Sequence, residues 1–195
     1  MKKFVLGAAL SLLICLPVLA ALKVGDMAPD FKARGSMGGK EFDFSLSEAL
    51  KKGPVVVYFF PSAYTKGCDL EAHTFSQEKD KFEAAGATIL GVSADSIARL
   101  HRFSADPEFC AGKFPLASDA DKKIATSYNL ATNPAKAGMT DVKGDAIDHD
   151  FIERVTFVIG KDHKILAALS SKDDGLSPDQ HVAKSLAIVQ QLGSK

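Results

Sequence analysis

The sequence predicts one α/β domain with a central mixed β-sheet flanked by helices, and three observations carry that prediction. Short apolar runs alternate with amphipathic segments along most of the chain, the pattern of strands interleaved with helices. One run, Pro54-Val55-Val56-Val57-Tyr58-Phe59-Phe60, is β-branched and aromatic without polar alternation, as in a central strand buried on both faces. A length of 195 residues, 46% of them hydrophobic and 25% charged, suits a single domain with such a core.

The first residues stand apart from that domain. Lys2 and Lys3 precede an almost uninterrupted apolar run from Phe4 to Leu19, and Val18-Leu19-Ala20 offers small residues to a signal peptidase. Residues 1–20 are therefore read as a secretory signal cleaved near Ala20/Ala21, and residues 21–195 as the domain, exported to the periplasm or the medium. The run is short for a membrane anchor. Cys15, in Leu12-Leu13-Ile14-Cys15, resembles a lipoprotein signal, but Ile14 is bulky where such signals need a small residue.

Within the domain, Gly25, Pro29 and Phe31 lead to a small hairpin expected around Gly38-Gly39, an N-terminal extension of the sheet. Ser47 is placed to cap a short helix ahead of the core strand, which Pro61 stops. From about Lys66 a helix is expected, because Cys68, Ala72, Phe75, Phe82 and Ala85 share one face; Gly86 ends it. Ala87 to Ser93 reads as the next buried strand. Asp95 is placed to cap a helix carrying Ile97, Leu100 and Phe103, and a shorter helix is expected from Asp121 to Tyr128. Val155 to Ile159 and Lys164 to Leu169 flank the turn Gly160-Lys161-Asp162-His163 as an antiparallel pair. Ser177-Pro178-Asp179-Gln180 is a capping-box pattern with proline in the first turn, followed by a stripe of Val182, Leu186, Val189 and Leu192. The stretch 131–150 has weak periodicity and many charges and is read as a surface loop.

Charge excludes some function classes. The 24 Lys and Arg balance 24 acids, and without residues 1–20, which hold two lysines and no acid, the domain carries 22 against 24. That balance gives neither a basic nucleic-acid surface nor a polybasic membrane patch. Asp148-His149-Asp150 lacks a second histidine or cysteine close in sequence, so no metal site is read there. The domain keeps two cysteines, Cys68 and Cys110, with no Cys-x-x-Cys. In an oxidising compartment such a pair also fits a single inert structural bridge.

Chemistry concentrates in Pro61-Ser62-Ala63-Tyr64-Thr65-Lys66-Gly67-Cys68, which sets a thiol in the first turn of a helix at the exit of the core strand. Free backbone N–H groups and the positive helix end favour an anion there, so the thiol is expected to fall from about 8.5 toward roughly 3.5 to 7.5. Thr65 supplies a hydroxyl three residues before the cysteine, and Pro61 fixes the turn and shields the thiolate. Arg154, at the start of Val155-Thr156-Phe157-Val158-Ile159, supplies a permanent cation held by its strand. Each residue also has a plainer reading: Cys68 as small core residue, Thr65 as N-cap, Arg154 as a salt-bridge partner of Glu153 or Asp150.

Pro-x-x-x-Thr-x-x-Cys with a later Arg-x-Thr-Phe-Val resembles the peroxiredoxin signature. The stretch from Tyr58-Phe59-Phe60-Pro61 to Thr65-Lys66-Gly67-Cys68-Asp69-Leu70-Glu71 is most similar to the peroxiredoxin Q, or bacterioferritin comigratory protein, branch. Gly25-Asp26-x-Ala28-Pro29-Asp30-Phe31 and Phe114-Pro115-Leu116-x-Ser118-Asp119 extend the likeness across most of the domain. The resemblance implies a thioredoxin-like fold of the AhpC/TSA type and a thiol peroxidase acting on hydrogen peroxide or small alkyl hydroperoxides through a cysteine sulfenic acid. It implies recycling by a thioredoxin-like reductant, no cofactor or metal, and a monomer or weak homodimer. By the same resemblance Cys68 is the peroxidatic nucleophile, Pro61, Thr65 and Arg154 complete the catalytic four, and Glu71 matches an accessory acid. The chain departs from many of the branch at His73, where a resolving cysteine would stand five residues after Cys68; Cys110 is then the candidate for that role. An exported thioredoxin-like thiol–disulfide oxidoreductase is the alternative, weakened by the missing Cys-x-x-Cys.

Overall fold

A computed structural model describes residues 20–193, so the expected signal sequence lies outside the described residues. In chain order come β1 (Lys32–Met37), β2 (Lys40–Ser45), α1 (Leu46–Lys52), β3 (Val55–Phe59), α2 (Lys66–Ala84), β4 (Thr88–Ser93) and α3 (Ile97–Ala105). These are followed by β5 (Leu116–Ser118), α4 (Lys123–Ser127), β6 (Thr132–Asn133), β7 (Phe151–Ile152), β8 (Val155–Ile159), β9 (Ile165–Ser170) and α5 (Pro178–Gly193).

The larger sheet among the described residues runs β2-β1-β5-β4-β3-β8-β9. The pairs β3–β4 and β4–β5 are parallel and the rest antiparallel, which makes the sheet mixed. The hairpin β1–β2 turns at Gly38 and Gly39, whose positive φ values of +58° and +75° are open to glycine without the Cβ clash.

All five residues of β3 are buried, and they alternate between two cores. Val55, Val57 and Phe59 join Phe31, Leu50, Tyr128 and Phe157 on one face, while Val56 and Tyr58 join Phe75, Phe82, Phe103 and Val182 on the other. Tyr58 stacks on Phe75 with ring centroids 4.5 Å apart, tying α2 to the sheet two turns beyond Cys68. Truncating a buried phenylalanine such as Phe75 to alanine costs about 3–5 kcal/mol, so this contact anchors the helix that carries the thiol.

Several local expectations need correction. Ser45, not Ser47, caps α1: its side chain accepts from Glu48 N, while Ser47 N donates to Asp30 Oδ1 at 2.9 Å. Ser96, not Asp95, caps α3 by accepting from Arg99 N, because Asp95 is drawn into the interior. The helix expected over 121–128 is shorter, with Lys122 ahead of it in a left-handed conformation (φ +58°). Only half of the capping box at α5 forms: Ser177 N donates to Gln180 Oε1 at 2.9 Å, but the Ser177 hydroxyl donates to Asp179 instead. The 131–150 stretch is not wholly superficial, since Asp141 and Ile147 are buried and β6 pairs with β7 across it.

Candidate active site

Strand pairing brings the two halves of the site together. β3 and β8 run antiparallel with Phe59 opposite Val155, so Arg154 lies beside the end of β3, where the chain leaves the sheet through the bend at Pro61. The turn that follows carries Tyr64 at φ +58°, a left-handed conformation that is uncommon for a non-glycine residue. It delivers Thr65 in extended geometry to the N-cap of α2, and Cys68 falls in the first turn of that helix.

Cys68 is 1% exposed and, like the fully buried Cys110, a free thiol. Arg154 Nη2 donates to Cys68 Sγ at 3.2 Å, and Nη1 donates to Glu71 Oε2 one helical turn further on. One planar guanidinium thus bridges the thiol and an acid, an arrangement that lysine cannot copy. Arg154 is not paired with Glu153 or Asp150: Glu153 accepts from Ala131 N, and Asp150 binds Lys122. The Thr65 hydroxyl makes no capping bond to the helix and donates instead to Ser62 O at 2.8 Å.

Two residues that sequence reasoning passed over shape this geometry. A Cβ on Gly67 would stand 3.2 Å from Arg154 Nη2 and 3.5 Å from Pro178 Cγ, so glycine leaves the space the guanidinium occupies. Asp95 takes the Ala63 N–H at 2.8 Å and the Ser62 hydroxyl at 3.2 Å, fixing the turn from behind. Asp95 follows the carboxyl end of the parallel strand β4, where sites collect in α/β sheets, and that position was the available signal.

The expectation of a lowered thiol pKa does not hold in the folded protein. Burial pushes the Cys68 thiol up, against the pull of Arg154 first and of the Thr65 hydroxyl and Ser62 backbone after it. Burial likewise lifts the Glu71 carboxyl to about 8 despite the Arg154 contact, in keeping with a second carboxylate oxygen, Oε1, that has no hydrogen-bond partner among the described residues. Burial opposes the Arg154 charge too, but Cys68 and Glu71 outweigh it and keep the guanidinium ionised. One cation therefore faces two acids, Cys68 and Glu71, and the burial that lifts Glu71 leaves more of the Arg154 charge to the sulfur.

Cys110 lies in the turn after α3, which ends at Ala105 just before Pro107. It belongs to the same apolar cluster as Cys68. Burial, then Asp106 and Asp69, push its thiol well above the ordinary range. Near it, His73 contacts Glu108 O at 2.8 Å through Nδ1, tying α2 to the Cys110 turn.

Comparison with known proteins agrees with this geometry. The AhpC/TSA family profile matches residues 24–168. Peroxiredoxin Bcp of Escherichia coli strain K12 is 31% identical over 144 residues, covering 74% of this chain and 83% of that protein. The crystal structure of peroxidoxin BcpB from Mycobacterium tuberculosis is 30% identical and superposes with a TM-score of 0.72, covering 88% of this chain and 98% of that one. Peroxiredoxin Q from Xanthomonas campestris is 26% identical with a TM-score of 0.63, covering 82% and 90%. With a thioredoxin-like fold shared with these structures, the chain belongs to the AhpC/TSA family, the peroxiredoxins, which are oxidoreductases of the thiol-peroxidase kind.

Proposed function

We propose that this chain reduces hydrogen peroxide and small alkyl hydroperoxides with Cys68 as nucleophile. The observation that carries the reading is the 3.2 Å contact between Arg154 Nη2 and Cys68 Sγ at the start of α2. The Cys68 thiolate attacks the terminal peroxide oxygen, which keeps its hydrogen: the S–O bond forms as the O–O bond breaks, and the departing oxygen takes up from solvent the equivalent of the proton that Cys68 released on ionising, to leave as water or alcohol. Cys68 is oxidised by two electrons to sulfenic acid, and the peroxide is reduced by two.

The thiolate that burial disfavours is supported at the moment of attack by Arg154, whose planar fork also faces the charge growing on the peroxide oxygens. The Thr65 hydroxyl lies between Ser62 O and the Cys68 sulfur, and its oxygen lone pairs accept from the peroxide O–H and align it. Pro61 fixes the bend from which this turn begins.

Regeneration follows by condensation of the sulfenic acid with Cys110, or with an external thiol, and reduction by a thioredoxin-like protein. The Cys110 route requires the turn after α3 to open, since both sulfurs are buried and Cys110 is held protonated where it lies. The basic and apolar residues 1–20 support export of the enzyme to the periplasm or medium, where it works as a monomer or weak homodimer. Turnover of hydrogen peroxide with a reduced thioredoxin tests the reading: Cys68→Ser should abolish it, and a Cys68→Ser protein that turns over normally would sink it.

A further inference from the structure

Behind the Ser62–Thr65 turn lies a buried ionic cluster that the chemistry above leaves unused. Asp95, fully buried, holds Ala63 N and the Ser62 hydroxyl and accepts from the Ser93 hydroxyl at 2.8 Å. Arg99 stands with Nε 2.9 Å from Asp95 and donates through Nη2 to Ala63 O at 3.1 Å and to the buried Asp141 at 2.5 Å. His149 completes the cluster from the 131–150 stretch, with its side chain 13% exposed.

The two ring nitrogens of His149 face different elements and the same kind of partner. Nε2 lies 2.8 Å from Asp95 Oδ1, and Nδ1 lies 2.9 Å from the backbone oxygen of Asp150. A neutral imidazole has one donor and one acceptor nitrogen, whereas a carboxylate and a carbonyl oxygen only accept. Both nitrogens must therefore carry hydrogen, which makes the ring an imidazolium. Charge agrees: with His149 protonated, two cations (Arg99, His149) balance two carboxylates (Asp95, Asp141), and without that proton a net negative charge is left buried. The other groups facing the ring are the Ser62 hydroxyl, 3.3 Å from Nε2, the edge-on ring of Phe151, and Asp150, whose own carboxylate is taken by Lys122.

We infer that His149 is a positioning residue for the peroxidase reaction: as an imidazolium it completes the clamp by which Asp95 holds the Ser62–Ala63 backbone, and so sets Thr65 and Cys68. The link to the reacting atoms is short, because Ser62 O is the acceptor that orients the Thr65 hydroxyl and Cys68 follows three residues later. The inference rests on the reading of Cys68 as the peroxide-reducing nucleophile. Burial, and after it the Arg99 charge, work against the ring charge, but Asp95 and the Asp150 carbonyl outweigh them and hold His149 above its ordinary value. A raised histidine pKa means that the clamp is complete at lower pH and is lost as pH rises through that value.

Two measurements on the reduced full-length domain test this. Nitrogen NMR of ¹⁵N-histidine-labelled wild type at neutral pH should show both nitrogens of His149 protonated; a single-proton tautomer overturns the inference, and this arm holds even if variants fold poorly. Rapid-mixing rates of Cys68 oxidation by hydrogen peroxide should climb with pH as the thiol ionises, with a flattening of that climb where His149 deprotonates. His149→Gln should lose that flattening and react about tenfold slower on the acidic side, as expected for a displaced reacting group. A reactive wild type with an identical His149→Gln profile overturns the inference alone. A wild type whose Cys68 never reacts overturns the peroxidase reading and the inference with it.

Discussion

Replacing Arg154 with lysine keeps the positive charge and removes the fork. In the native site Nη2 serves Cys68 Sγ at 3.2 Å while Nη1 serves Glu71, and a single ammonium on a flexible stem cannot hold both positions. A hydrogen bond to a charged partner is worth about 1.5–3 kcal/mol, so losing the one at the sulfur should cost about ten- to a hundred-fold in rate. If the lysine turns to Glu71 instead, Cys68 loses its chief counterweight to burial and its pKa rises further; either outcome slows the reaction. The assay is single-turnover loss of the Cys68 thiol after mixing with hydrogen peroxide at several pH values, with circular dichroism to establish an intact fold. A folded Arg154→Lys protein reacting within twofold of wild type at every pH would remove Arg154 from the chemistry.

Three further predictions follow from neighbouring groups. Gly67→Ala should push the guanidinium by a few tenths of an ångström and slow peroxide reduction about two- to tenfold with little loss of stability; an unchanged rate would show that the 3.2 Å approach is slack. Glu71→Gln removes the acid whose charge raises the Cys68 pKa, so the ultraviolet signal of the thiolate should emerge at lower pH than in wild type, and an unmoved or higher midpoint contradicts the one-cation, two-acid description. His181 is buried between the Thr156 and Ser171 hydroxyls and is driven down to about 4, by burial first and Arg154 second. Its unfolded form takes up the proton first, so stability should fall as pH drops from about 6.5 to about 4, by up to about 3 kcal/mol, and His181→Gln should flatten that part of the denaturation curve. Equal acid sensitivity in the two proteins would assign the loss to other groups.

What could be seen in the sequence was whatever local pattern alone decides. The run Val55–Phe59 has no polar position, so only a strand covered on both faces can accommodate it, and the structure buries all five residues. The Cys68–Ala72–Phe75 face of α2 was legible for the same reason. Choices between near-equivalent neighbours were not. Ser45 and Ser47 are both capping residues, and Asp30, 17 positions away from Ser47, decides between them by taking the Ser47 N–H. Asp95 is a good N-cap by type, yet it is claimed by Ser62 and Ala63, more than 30 positions earlier. The thiol pKa misled for a related reason: the helix end favours the thiolate, but complete burial beneath the turn outweighs it, and burial of that kind is a property of the assembled fold.

In the proposed reaction Cys68 is the group that receives oxygen from peroxide. Mass spectrometry of the fully reduced domain after one equivalent of hydrogen peroxide, with a sulfenic-acid trap present, tests it most directly. The expected result is oxygen on Cys68, captured by the trap, or a Cys68–Cys110 disulfide within one chain, with Cys110→Ala leaving the modification on Cys68 alone. Oxidation found first on Cys110 while Cys68 stays a free thiol, or both thiols unchanged after the peroxide is consumed, would contradict it.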